Sequence, residues 1–300
     1  MPTLRQFEYL VALADQRHFG RAAQTANVSQ PTLSQQLRAL ETRLGVRLVE
    51  RGRNKAELTP VGREVAARAR KLIVAVRDIR DLARRAQDKL AGTLRFGVTP
   101  TLGPYLMPAI VARLHREQPD LRLYIREGIP DAQALELARG ELDMLLGPLP
   151  IEGAGIETEP LFREPLFLVA PPDHPLSGRS RLGLADLAGA PVLSLDRRHH
   201  FHRQVAGLCA EHGMEILRDY EGTSLDAIRQ MVASGLGLAV LPDLYLRSEV
   251  GGEGGIRVLG IEGWKATRSI AAAWRSGAAY AAAYRAVAGA IQGEARTLLG

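Results

Sequence analysis

Along the front of the chain, apolar positions recur every three or four residues, the period of amphipathic helices. Leu4, Phe7, Leu10, Val11 and Leu13 form one stripe and predict a first helix with its apolar side on a core. Ala22, Ala23 and Ala26 predict a second, shorter helix, with Phe19 and Val28 completing the core. Asn27-Val28-Ser29 reads as a tight turn. Ser29 is a natural N-cap, and Pro31 sits near the start of the next helix, where its missing N–H costs nothing. Leu33, Leu37, Leu40 and Leu44 then repeat at helical spacing until Gly45 stops the run. Thr32, Ser34, Gln35, Gln36 and Arg38 lie between the leucines as polar groups able to reach phosphates or base edges. This is the grammar of a helix-turn-helix whose second helix enters a major groove.

After Gly45 the pattern turns strand-like over 46–51, passes a basic turn at Gly52-Arg53-Asn54-Lys55, and resumes at Ala56-Glu57-Leu58. The expectation is a two-stranded wing, with Arg51, Arg53 and Lys55 beside a DNA backbone or minor groove. Thr59 as N-cap and Pro60 open a helix running to about Leu90, along which Val61, Val65, Ala69, Leu72, Val76, Ile79, Leu82 and Ala86 alternate at threes and fours. Such a length and stripe predict a coiled-coil dimer linker, the alternative being a single long helix packed on its own domain.

From Gly92 onward strands and helices alternate. Strands are expected at 93–98, 121–127, 143–147 and 166–170, with helices at 102–115 and 134–139. A second module follows: strands at 191–195, 217–221 and 237–242, helices near 202–212 and 224–233, a returning strand at 269–274 and an alanine-rich terminal helix at 278–292. The run predicts two open α/β lobes joined by crossing segments, with a ligand cleft between them at the carboxyl ends of the strands. The expected division is 1–58 for the winged head, 59–91 for the linker helix and 92–300 for the two-lobed body. Lobe I takes about 92–162 and 268–300, and lobe II about 163–267.

Composition is ordinary for a globular protein, but charge placement sharpens the picture. Residues 1–91 hold 18 Lys/Arg against 9 Asp/Glu, whereas 92–300 hold 21 against 24. A basic front on a mildly acidic rear fits a nucleic-acid-binding head on a different kind of body. The single cysteine, Cys209, excludes an intrachain disulfide framework and fits a reducing cytosol. No apolar run reaches the ~18 residues of a membrane span, and the N-terminus lacks the design of an export signal. A cytoplasmic protein without membrane contact is expected.

Two stretches of the rear carry candidate chemistry. The loop Thr99-Pro100-Thr101-Leu102-Gly103-Pro104 follows the first strand, so Thr99 or Thr101 either caps the next helix or presents a hydroxyl to a small polar ligand. The run Arg197-Arg198-His199-His200-Phe201-His202-Arg203 offers an anion-binding mouth, a metal site or a solvated turn; its histidines lack the i,i+4 spacing of a clear zinc box. Cys209 lies in an apolar run and reads as a core residue, with a redox role as the alternative. No connected nucleophile, base and orienter is visible, and an enzyme or solute-binding protein needs no basic winged head, so the chain is not expected to be an enzyme or to carry a cofactor or metal.

The stretch LRQFEYLVALADQRHFGRAAQTANVSQPTLSQQLRALETRLGVRLVERGRNKAELTPVGREV resembles the LysR-type transcriptional regulators. The resemblance implies a winged helix-turn-helix, a linker helix and a two-lobed, periplasmic-binding-protein-like effector domain. It further implies double-stranded promoter DNA as partner, a homotetramer built as a dimer of dimers, a small-molecule effector, and RNA polymerase when activating. By match to the family motif, Ser29, Gln30, Pro31, Thr32, Ser34 and Gln35 form the DNA-reading set, with Arg51 and Arg53 as wing contacts and Arg38 on the backbone. Gln30 and Gln35 present paired donors and acceptors suited to an adenine edge.

TPTLGPYLMPAI, LSLDRRHHFHRQVAGLCAEHG and TSLDAIRQMVASGLGLAVLP are similar to the OxyR branch of that family, its hydrogen-peroxide sensors. The likeness sets Cys209 at the resolving position, His200 at the peroxidatic position, Thr101 at a peroxide-binding hydroxyl, and Pro130 and Asp131 at two further pocket positions. An imidazole forms neither a sulfenic acid nor a disulfide, so the two-cysteine switch is not expected here. The expected effector is instead a small polar or anionic molecule near Thr99, Thr101, Asp131, His199, His200 and His202. The alternative is oxidative-stress sensing through Cys209, methionine oxidation or a His-bound metal.

Overall fold

The computed structural model describes residues 1–51, 56–85, 92–250 and 255–300. The chain divides into two compact units, Met1–Asp88 and Lys89–Gly300.

In the first unit, Thr3 and Gln6 form a capping box at the start of α1 (Leu4–Gln16). The ring of His18 caps α2 (Phe19–Thr25), its Nδ1 accepting from the Gly20 and Arg21 N–H groups at 3.1 and 3.4 Å. Asn27, in the left-handed region at φ 53°, makes the turn. Ser29 then caps α3 (Gln30–Leu44), and Gly45 ends it at φ 70°. Leu10 and Leu13 of α1, Ala22 and Ala23 of α2, and Leu33, Leu37 and Leu40 of α3 close into one core. The wing is β1 (Val49–Arg51) paired antiparallel with β2 (Ala56–Leu58). Its expected turn, with Arg53 and Lys55, lies outside the described residues.

Thr59 caps α4 (Pro60–Arg85), its Oγ1 accepting from the Gly62 N–H at 2.9 Å. Gly62 is required by close approach, since a Cβ there would stand 2.0 Å from the Leu48 carbonyl oxygen. The buried face of α4 is Ala66, Ala69 and Ile73, whereas Val61, Leu72 and Ile79 are exposed. The stripe expected from spacing is therefore split: Ala69 is buried and Val65 packs against the head core, whereas Val61, Leu72 and Ile79 stand outside. The Leu82 side chain, Ala86 and the expected helix end at Leu90 lie outside the described residues.

The second unit runs β3 (Gly92–Val98), α5 (Gly103–Glu117), β4 (Leu121–Glu127), α6 (Pro130–Ala138), β5 (Met144–Pro148) and β6 (Ile156–Ala170). After β7 (Leu182–Gly183) come β8 (Pro191–Leu195), α7 (His200–His212), β9 (Glu215–Gly222), α8 (Leu225–Ala233), β10 (Leu238–Pro242) and α9 (Asp243–Glu249). It closes with β11 (Arg257–Val258), β12 (Ile261–Glu262), β13 (Thr267–Arg275) and α10 (Ala281–Leu299). The main sheet has the order β4-β3-β5-β13-β6-β10-β8-β9. Strand β6 belongs to both lobes: Ile156–Pro165 pairs antiparallel with β13, and Leu166–Val169 pairs with β10. Each lobe has its own core, with Phe96, Val98, Ile110, Leu146 and Trp274 in one and Leu168, Val192, Val205, Cys209, Ile228 and Val240 in the other.

Only the last third of β6 was expected as strand. Its first part, IETEPLFREP, alternates charge with apolar residues and carries Pro160 and Pro165, which demote a strand in any pattern reading. Pro160 sits beside a register shift opposite Ile270/Ala271 that leaves Leu161 unpaired, and Pro165 lies at the end of the pairing, opposite Thr267. Helix α9 was not expected; it is short and begins directly after the apolar strand β10.

Candidate functional site

In the first unit, the burial of Leu33, Leu37 and Leu40 fixes the outward face of α3. Ser29, Gln30, Pro31, Thr32, Gln35 and Arg38 are exposed and Ser34 is half-buried. The hydroxyls of Ser29 and Thr32 lie 2.7 Å apart in a hydrogen bond. The side chains of Gln30, Gln35 and Arg38 make no internal hydrogen bond. Gln36 is tied instead to the helix behind, accepting from Gln6 at 3.0 Å. Arg51 stands on β1, but its side chain, like all of Arg53, is outside the described residues.

Sequence reasoning missed Glu41. Its carboxylate accepts from the Leu48 and Val49 N–H groups at 2.9 and 3.1 Å and so holds the wing against α3. An acid in the last turn of a helix, where the dipole disfavours it, was the available signal.

In the second unit, one of the two expected hydroxyls is engaged within the protein. Thr101 Oγ1 and its carbonyl oxygen each accept from the Arg268 guanidinium at 2.8 Å. Arg268 Nε donates to Glu164 at 2.7 Å, and the other Glu164 oxygen accepts from the Leu244 N–H at 3.0 Å. Both charged side chains are fully buried, and the guanidinium lies 5.4 Å from the Phe201 ring centre. The hub thus joins the first loop of lobe I to α7 and α9 of lobe II. Neither threonine caps α5, whose N-cap is Leu102 without a side-chain bond. Thr99 instead accepts through its carbonyl oxygen from Leu102 and Gly103 N–H groups, while its own buried hydroxyl has no partner.

The histidine run splits three ways. His199 is the half-buried N-cap residue of α7 and bonds nothing through its ring. His202 is a lock, its Nδ1 lying 3.0 Å from Ser194 Oγ and 2.9 Å from the Leu195 carbonyl. His200 is 5% exposed and its Nδ1 has no partner. Burial, more than neighbouring Arg203, holds its pKa below the ordinary 6.5. Arg198 pairs with Asp196, and Arg197 lies near Glu221, so the anion-binding mouth expected from three arginines does not assemble.

Arg203, one turn on from His200, reaches across the lobes to grip Asp131 on α6 with contacts of 3.0 and 3.1 Å. That bond keeps the Asp131 carboxyl below its usual pKa. Asp131, His200, Arg203, Gln204, Glu152, Leu135, Leu149 and Pro150 line a cavity of about 690 Å³. The geometry therefore brings together Asp131 and His200 and leaves Thr99, Thr101, His199 and His202 out of this lining. Glu152 and Gln204 were not anticipated; neither sits in a recognisable motif.

Cys209 is packed in the lobe II core, and burial pushes its thiol up to about 11. Among the described residues, no group of three His, Cys, Asp or Glu side chains is placed to hold a metal ion, and no helix is long and apolar enough to cross a membrane.

The comparisons agree with this architecture. The profile for bacterial regulatory helix-turn-helix proteins of the lysR family matches residues 4–63, and that for the LysR substrate binding domain matches residues 87–296. The chain is 37% identical over 289 residues to the DNA-binding transcriptional dual regulator OxyR of Escherichia coli K12, covering 96% of this chain and 94% of that one. A full-length OxyR variant from Pseudomonas aeruginosa superposes with a TM-score of 0.74 at 37% identity, covering 97% of this chain and 98% of that one. A cysteine-substituted OxyR from Corynebacterium glutamicum, with H2O2 bound, gives 0.67 at 32% identity, covering 100% and 94%. A winged helix-turn-helix, a long helix and a two-lobed body, matched along nearly the whole length, mark the chain as a DNA-binding transcriptional regulator of the LysR family, on its OxyR branch and without the cysteine pair.

Proposed function

We propose that this regulator reads double-stranded promoter DNA through α3 and responds to a small polar effector seated in the cavity at His200. The observation that supports the first half is the outer face of α3, where Gln30, Gln35 and Arg38 have no internal partner on a helix otherwise pinned to the core. Gln30 and Gln35 suit adenine edges, Thr32 a thymine methyl or phosphate, and Arg38 the backbone. Ser29 caps the helix and Pro31 opens it; Ser29, Pro31 and Ser34 are all proposed to belong to the DNA-reading set, and Arg51 and Arg53 of the wing are proposed to contact the DNA backbone. Supporting the second half, the cavity is walled by α6 of one lobe and α7 of the other, so an occupant favours one interlobe arrangement over another. Assembly as a dimer of dimers, with RNA polymerase contact on activation, completes the reading. DNase footprinting on the chain's own promoter region, for wild type and for His200→Phe, tests it. An effector-dependent footprint that His200→Phe abolishes is expected; identical footprints under every condition would overturn the effector half.

The names of the relatives favour a second reading, an oxidative-stress response. The buried Cys209, with its raised pKa, offers little thiolate to start one. Footprints before and after hydrogen peroxide, in wild type and Cys209→Ser, separate the two; a peroxide shift lost in Cys209→Ser would favour the second.

A further inference from the structure

We infer that the cavity selects a small organic cation, a primary ammonium on a short apolar body. The inference rests on the effector reading of this cavity and names the chemical class of its occupant. Among the described lining residues the charges are Asp131, Glu152 and Arg203, an excess of one negative. Arg203 is the cation of the set, and both terminal nitrogens of its guanidinium are already on the Asp131 carboxylate. Glu152 is exposed and makes no hydrogen bond or short ion pair, although Arg203 feels its charge.

The neutral groups point the same way. Gln204 Oε1 and His200 Nδ1 are both buried without a partner. The described lining residues therefore carry one uncommitted carboxylate, Glu152, beside two buried polar atoms without a protein partner, an amide oxygen and an imidazole nitrogen that accepts in one of its two neutral tautomers. An ammonium brings three donors and no acceptor, so it matches this surplus and offsets the excess charge. A carboxylate or phosphate would meet the unpaired Glu152 charge with the arginine fork already engaged on Asp131. Leu149, Pro150 and Leu135 supply an apolar wall, and Leu135 is 59% exposed on the outer face of α6. Methylenes of an alkyl amine would cover it. The volume, about 690 Å³, falls within the usual span of small-molecule sites.

The test is isothermal calorimetry on the full chain with butylamine, 1,4-diaminobutane, butyrate and succinate at constant ionic strength. Saturable binding of the amines and not the acids is expected, weakened about tenfold by Glu152→Gln or Gln204→Leu. Glu152 is exposed, so Glu152→Gln keeps the fold, and its melting temperature checks this. Amine binding that both variants leave unchanged would overturn the assignment. Saturable binding of the acids alone, lost in His200→Phe, would overturn the cation class while keeping the effector site. Binding by none of the four also counts against the cation class, and footprints that His200→Phe leaves unaltered would then remove the effector site as well.

Discussion

At position 268 a guanidinium sits with no exposed surface, held by one carboxylate and one threonine. Removing a single partner leaves the other charge buried and unpaired. Arg268→Leu is expected to cost about 3–5 kcal/mol in urea unfolding, and the double change Arg268→Leu with Glu164→Leu to recover much of that loss. Equal losses in single and double variants would show that the pair is not coupled. Arg268 was not legible in the sequence, since one arginine in TRSIAAAW does not reveal which distant acid meets it. Position 200 was legible, because a histidine in a run of charges invites attention, but its pocket partners Glu152 and Gln204 come from unremarkable segments. The lowered His200 pKa has a pH consequence. The folded state resists protonation that the unfolded chain accepts, so stability is full above about pH 6.5 and falls as pH drops below it. His199 is shifted in the same direction by its burial and adds to the slope. Denaturation from pH 7.5 to 5 is expected to show a shallower decline in His200→Gln than in wild type; identical slopes would exclude His200 as a contributor.

Among the elements, those with simple periodicity were the most legible. Strand β8 and strand β4 have the predicted bounds, and α3 begins and ends at its predicted cap and glycine. The losses came where tertiary context overrides local pattern, as in the proline-bearing half of β6 and in α9. On α4 the inward face is Ala66, Ala69 and Ile73, whereas Leu72 and Ile79 of the expected dimer stripe stay exposed on the single chain. An exposed apolar row on a long helix is the surface a second copy would cover. Leu72→Asp with Ile79→Asp is expected to lower the assembly state in sedimentation velocity without unfolding the head, and an unchanged mass would assign that row another role. Gly62→Ala tests the contact between α4 and the start of the wing. The new methyl meets backbone rather than a mobile side chain, so a loss of about 1–3 kcal/mol is expected in thermal unfolding.

For the whole molecule, the uneven charge already visible in the sequence is the broadest clue to function. The basic front belongs to the unit that carries α3 and the wing, Met1–Asp88, which holds 17 Lys/Arg against 9 Asp/Glu. The measurement that tests the central claim most directly is DNA affinity on the chain's own promoter region, by gel shift across a salt series, for wild type and Gln35→Ala. Affinity is expected to fall steadily as salt rises, because phosphate contacts release counterions. Gln35→Ala is expected to weaken specific binding by about 1–3 kcal/mol while leaving the salt slope unchanged. Affinity indifferent to salt, or specific binding untouched by Gln35→Ala, would contradict the assignment of α3 as the helix that reads DNA.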